Sequence, residues 1–78
     1  MERPPLNGDV ILRARLGKFL TQAEVQKALR DRGITISASS LSRIESGAVE
    51  RPALRVIPVL AEVLDLDVNE MFKREVAA

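Results

Sequence analysis

All five serines of this 78-residue chain fall between positions 37 and 46, and Arg43 stands among them. Serine is only a middling helix former, so folding does not call for so many on one short segment. Short hydroxyl side chains let a helix face approach another surface closely, and an arginine adds a planar fork of donors. The chemistry open to this set is recognition by hydrogen bonding. A guanidinium can donate two parallel hydrogen bonds to a planar pair of acceptors. The structural alternative is a helix cap followed by a solvated polar face. A second group, Thr21-Gln22-Ala23-Glu24, has the spacing of a capping box. The amides of a helix start can hold a phosphate, helped by the helix dipole.

Covalent and metal chemistry find little support. The chain has no Cys, His, Tyr or Trp, which removes disulfides, thiol nucleophiles, imidazole acid–base chemistry and Cys/His metal sites. Carboxylates remain, but no calcium-loop pattern groups them. No nucleophile–base pair is legible, so the expectation is a protein that is not an enzyme and needs no metal or cofactor. The longest apolar run, Val56 to Ala61, contains Pro58 and is far too short to cross a bilayer. The first five residues have no apolar core of the signal-peptide kind. No membrane association and a cytoplasmic setting are expected.

The elements that must position these groups follow from pattern. One domain is expected over residues 1–78, with 1–6 as an arm and 73–78 as a tail. Apolar residues make up 46% of the chain and only Phe19 and Phe72 are aromatic, so the core must be aliphatic. Asn7 or Asp9 caps a first helix that Gly17 ends. Thr21 opens a second helix with Val25, Ala28 and Leu29 inward, stopped by Gly33. Ile34-Thr35-Ile36 reads as a turn whose isoleucines plug the core. Ser37 caps a third helix ending at Ser46-Gly47, with Leu41 and Ile44 inward and Ala38, Ser39, Ser42 and Arg43 outward. A fourth helix covers about Leu54 to Leu64 with Leu60, Ala61 and Leu64 inward. Pro58 means that it begins near Ile57 or that residues 53–57 form a separate turn. Asp67-Val68-Asn69-Glu70 starts a short fifth helix burying Val68, Met71 and Phe72. Five helices and no sheet are expected. Charge is uneven: residues 1–43 carry eight Lys/Arg against four Asp/Glu, and residues 44–78 carry four against seven. A basic footprint can therefore lie on one face.

Two short helices joined by a turn, the second with small polar residues and an arginine outside, match helix-turn-helix mechanics. The strings LTQ at 20–22, LSRIESG at 41–47 and LAEVLDLDVNEMF at 60–72 stand in one order. With Arg51-Pro52 between them, they resemble the Cro/C1-type (XRE-like) helix-turn-helix family, over roughly residues 10–72. The resemblance implies an all-α, compact five-helix, lambda-repressor-like DNA-binding domain with the third helix as the reading element. It implies base contacts from Ala38, Ser39, Ser42 and Arg43. It implies backbone contacts from Thr21, Gln22, Ser37, Ser40 and Arg51, with Lys18, Arg13 and Arg55 as further phosphate candidates. Glu45 is tempting as a functional acid, but the resemblance pairs it with Arg15 in a structural salt bridge.

Two features depart from the family pattern. The stretch from Leu29 to Ser37 is longer than in the shortest members and resembles a variant with an extended second helix and turn. Glu50 stands where the family often carries Lys or Arg, and a lost phosphate contact weakens the electrostatic part of binding. The function implied is a transcription regulator, a repressor, binding double-stranded DNA at a palindromic operator as a homodimer. The alternative is a helix-turn-helix protein-interaction module, an antitoxin or adaptor acting through a protein partner.

Overall fold

The computed structural model describes residues 5–49 and 51–73. Its elements run α1 (Gly8–Gly17), α2 (Gln22–Asp31), α3 (Ala38–Ser46) and α4 (Val56–Leu64), then a single 3-10 turn over Val68–Met71. Among the described residues there are thus four α-helices, and the expected fifth is one turn of tighter helix. Its local cause is Asp67, whose side chain accepts from the Asn69 amide at 2.8 Å. That bond falls one residue short of a capping box and closes an Asx turn.

The other starts are better capped. At α2 the box closes in both directions: Thr21 Oγ1 accepts from the Glu24 amide and Glu24 Oε1 accepts from the Thr21 amide. At α3 Ser37 Oγ accepts from the Ser40 amide at 3.1 Å. Asn7 precedes α1 without a side-chain cap. The segment 53–57 holds both anticipated features. The Val56 and Ile57 amides donate to the Ala53 and Leu54 carbonyls, and this turn runs straight into α4. Pro58 is then the third helical residue, where its missing N–H is no loss.

The core is aliphatic with one methionine. Leu6, Ile11, Leu29, Leu41, Leu60, Leu64, Met71 and Val25 are its largest fully buried side chains. Ile34 is buried and Ile36 half-buried, so the turn after α2 does plug the core. Gln26 holds that turn by donating to the Ile36 carbonyl at 3.0 Å. Of the set expected inside the last turn, Met71 is buried and Phe72 half-buried, but Val68 remains 39% exposed. A single 3-10 turn has too narrow an inner face to bury all three.

Two expectations at the chain ends are revised. Leu6, placed in an arm, is 1% exposed and belongs to the core. It forms an antiparallel bridge with Phe72, while the Asn7 amide donates to the Met71 carbonyl and the Lys73 amide to the Pro5 carbonyl. Residues 5–7 and 71–73 are therefore clamped together. The rest of the expected arm, 1–4, and of the tail, 74–78, lies outside the described residues. Among these, α1 packs on α3, and α2 spans α3 and α4. Gly8 makes the first contact as close as it is, because a Cβ there would overlap the Ile44 carbonyl oxygen.

Candidate nucleic-acid interface

The candidate surface begins with what holds α1, α2 and α3 in register. Arg15, near the end of α1, donates through Nε to Glu45 Oε2 at 2.6 Å and through Nη2 to Oε1 at 3.0 Å. Its Nη1 donates to the Leu20 carbonyl at 2.8 Å. Gln22, the first residue of α2, donates through Nε2 to Glu45 Oε1 at 3.1 Å. Both charged side chains are nearly out of solvent, 12% exposed for Arg15 and 5% for Glu45. A desolvated bidentate pair of this kind fixes geometry strongly. Here it locks the start of α2 to the C-terminal half of α3, the relation a helix-turn-helix must preserve to dock both at once.

The outward face of α3 is built by periodicity. Ala38 and Ser42 lie four residues apart, as do Ser39 and Arg43, and all four are exposed. The serine cluster divides. Ser37 is the cap, and its hydroxyl lies 2.8 Å from Ser40 Oγ and 3.3 Å from Ser39 Oγ. Ser46 Oγ donates to the Arg43 carbonyl at 3.1 Å. Four of the five hydroxyls thus have local partners, so part of the serine richness is capping chemistry. Among the described residues the Ser42 hydroxyl and the Arg43 guanidinium have no partner. Beside Arg43, a hollow of about 230 Å³ opens between α3 and the start of α4, walled by Ile36, Ile44, Val49 and Val56.

Cations sort by whether they are already engaged. Arg13 pairs with Asp9 at 3.0 Å, Lys27 with Asp31 and Arg32 with Glu62. Lys18 reaches Asp65 only at 4.0 Å. Among the described residues Arg30, Arg43, Arg51 and Arg55 form no ion pair. Arg43 stands on α3 and Arg51 and Arg55 in the link from α3 to α4, and all three are exposed. Exposed pairs such as Arg13–Asp9 are weak and exchange readily for a phosphate. Glu50, in the same loop, lies outside the described residues.

The anticipated backbone-contact residues are therefore placed as follows. Arg51 and Arg55 are exposed and unengaged, and Arg13 and Lys18 are exposed with carboxylate neighbours. Thr21, Ser37 and Ser40 are exposed but spend hydroxyl capacity within the protein. Gln22 is half-buried, with its side-chain amide bound to Glu45. No spacing in the sequence signals that last bond, because residue 22 meets residue 45 only after three helices have packed.

With this geometry in place, the comparison with protein families is decisive. The model of the family described as "Helix-turn-helix domain" matches residues 11–71. The chain belongs to this helix-turn-helix family. The matched span contains all four helices apart from the first turn of α1, and it contains every residue of the outward α3 face. No curated protein and no solved structure matches the chain. A helix-turn-helix domain points to DNA as the partner. No helix among the described residues is long and apolar enough to cross a membrane.

Proposed function

We propose that this helix-turn-helix protein is a sequence-specific transcription regulator of the Cro/C1 type, a cytoplasmic repressor that binds a palindromic operator as a homodimer. In this reading α3 enters the major groove and Ala38, Ser39, Ser42 and Arg43 meet base edges. Arg51 and Arg55 bind phosphates on one flank and the amides at the start of α2 bind a phosphate on the other. The observation that carries it is the α3 face: four exposed small or forked side chains at helical spacing, ending in an arginine with no partner of its own among the described residues. The buried Arg15–Glu45–Gln22 group supports it by holding that face and the α2 start in one rigid relation.

The homodimer draws in part on the C-terminal apolar set Val68, Met71, Phe72 and Val76, from which Met71 drops out, being fully buried. Val76 lies outside the described residues. Of the four exposed large apolar side chains among the described residues, Leu16, Phe19, Leu54 and Val68, this reading assigns Leu54 and Val68, 62% and 39% exposed, to such a contact. Two copies on one face of DNA would read half-sites about 34–36 Å apart.

The test is selection of bound duplexes from a randomised pool, repeated with Arg43→Ala. A two-fold symmetric motif is expected, with one base pair per half-site relaxed by the substitution, at a cost of about 1–3 kcal/mol. No enrichment at any salt concentration would instead point to a module that binds a protein partner.

A further inference from the structure

Each of the four α-helices is followed by a residue with left-handed backbone, and the four residues differ in how well they tolerate it. Gly33 and Gly47, both at φ 86°, suit it by lacking a Cβ, and Asp65 at φ 56° is a short polar residue that tolerates it. Phe19, at φ 57°, is a bulky aromatic in the same conformation. Two hydrogen bonds impose that conformation. The Leu20 amide donates to the Arg15 carbonyl at 3.1 Å and the Phe19 amide to the Leu16 carbonyl at 3.0 Å, a complete Schellman closure of α1. Meanwhile Gly17 sits two residues earlier with ordinary backbone and nothing near its missing side chain, where glycine only weakens a helix. Glycine and phenylalanine are thus each at the position that local stability would give to the other kind of residue. Departures of this type concentrate where a surface is used.

Among the described residues Phe19 is also the most exposed large apolar side chain, at 92%, and Leu16 beside it is 55% exposed. The pair lies just ahead of Thr21, the cap of α2. From Leu16 to Ala23 the single charged residue is Lys18, whose one carboxylate neighbour among the described residues is Asp65 at 4.0 Å. The next acid in the chain, Glu24, is turned to the Thr21 amide. An apolar patch here adjoins a cation and the positive end of a ten-residue helix. The complementary surface carries negative charge alternating with apolar faces, as the phosphates and deoxyriboses of a DNA strand do.

We infer that Phe19, with Leu16 beside it, packs on the sugar–phosphate backbone at the outer flank of the bound half-site, next to the phosphate held at the start of α2. The inference rests on the DNA-binding reading above. Phe19 is a positioning contact with no role in choosing the sequence, and it adds affinity for duplex that extends past the bases read by α3.

The test compares wild type, Phe19→Gly and Phe19→Tyr on the selected duplex, with and without extra flanking base pairs, alongside thermal unfolding. Glycine relaxes the left-handed position, so Phe19→Gly is expected to fold and to melt higher, by roughly 5 °C. It is expected to bind the long duplex about tenfold more weakly, with unchanged base preference. The slope of affinity against salt should stay the same, because no charge is removed. Phe19→Tyr should keep wild-type affinity, and on the short duplex all three proteins should bind alike. Equal binding of the long duplex by wild type and Phe19→Gly overturns this inference and leaves the DNA reading standing. A wild type that binds no duplex overturns both, and would assign the patch to a protein partner.

Discussion

Replacing Arg15 with alanine removes three hydrogen bonds at once, two to Glu45 and one to the Leu20 carbonyl. It strands a carboxylate whose side chain is 5% exposed, with Gln22 Nε2 as its remaining donor. Breaking one partner of a buried pair costs about 3–5 kcal/mol, because the surviving charge stays desolvated. A domain of this size is stable by roughly 4–12 kcal/mol in total. Arg15→Ala should therefore remove a large part of the folding free energy and lower the melting midpoint by more than about 12 °C. Urea unfolding followed by far-ultraviolet circular dichroism measures it, with the slope against denaturant checked for constancy. The paired control is Arg15→Met with Glu45→Leu, which removes both charges while keeping apolar volume. It should recover most of the loss, since an apolar pair of similar size is often as stable as a buried ion pair. A loss below about 1 kcal/mol for Arg15→Ala, the range of an exposed pair, would refute the reasoning. A double variant as damaged as the single one would assign the loss to packing and not to the stranded charge.

Four further outcomes follow from the same geometry. Gly8→Ala should destabilise by about 3 kcal/mol, because the added methyl meets the Ile44 carbonyl oxygen and helix α1 must back away from α3. Gly17→Ala should instead gain roughly 0.5 kcal/mol, as its Cβ enters open space; chemical denaturation of the two variants side by side checks the contrast. Thr21→Ala should lose about 1 kcal/mol through the broken capping box, measured in the same way. Sedimentation of Leu54→Asp and Val68→Asp tests the dimer: both should shift wild-type dimers towards monomer, and a wild type that is monomeric at high micromolar concentration with and without DNA would remove the proposal.

Much of this architecture was legible because its causes are local. Thr21, Ser37, Gly33 and Gly47 mark helix ends through bonds made within a few residues, and the inward set Val25, Leu29, Leu41, Ile44, Leu60 and Leu64 follows from helical spacing. The same periodicity places Ala38, Ser39, Ser42 and Arg43 on one outward face before any packing is known. The end of α1 was harder to place. Gly17 looks like the terminating glycine, yet the helix carries it in its last turn and the left-handed residue is Phe19. A glycine permits that conformation but does not compel it, and the two amide–carbonyl closures select the position.

What the amino-acid order determined by itself is the four α-helices, their inward faces and the kind of surface α3 presents, since capping and periodicity act between neighbours in the chain. Only the tertiary structure decided which polar groups remain for a partner. Gln22 has the chemistry to touch DNA, and packing of three helices turns its side chain onto Glu45, which Arg15 also holds. Leu6 joins the core only because residues 71–73 return to pair with residues 5–7. Long-range burial settles both cases, because a charge or an amide removed from water must find its partner inside the fold, and that partner can come from any part of the chain.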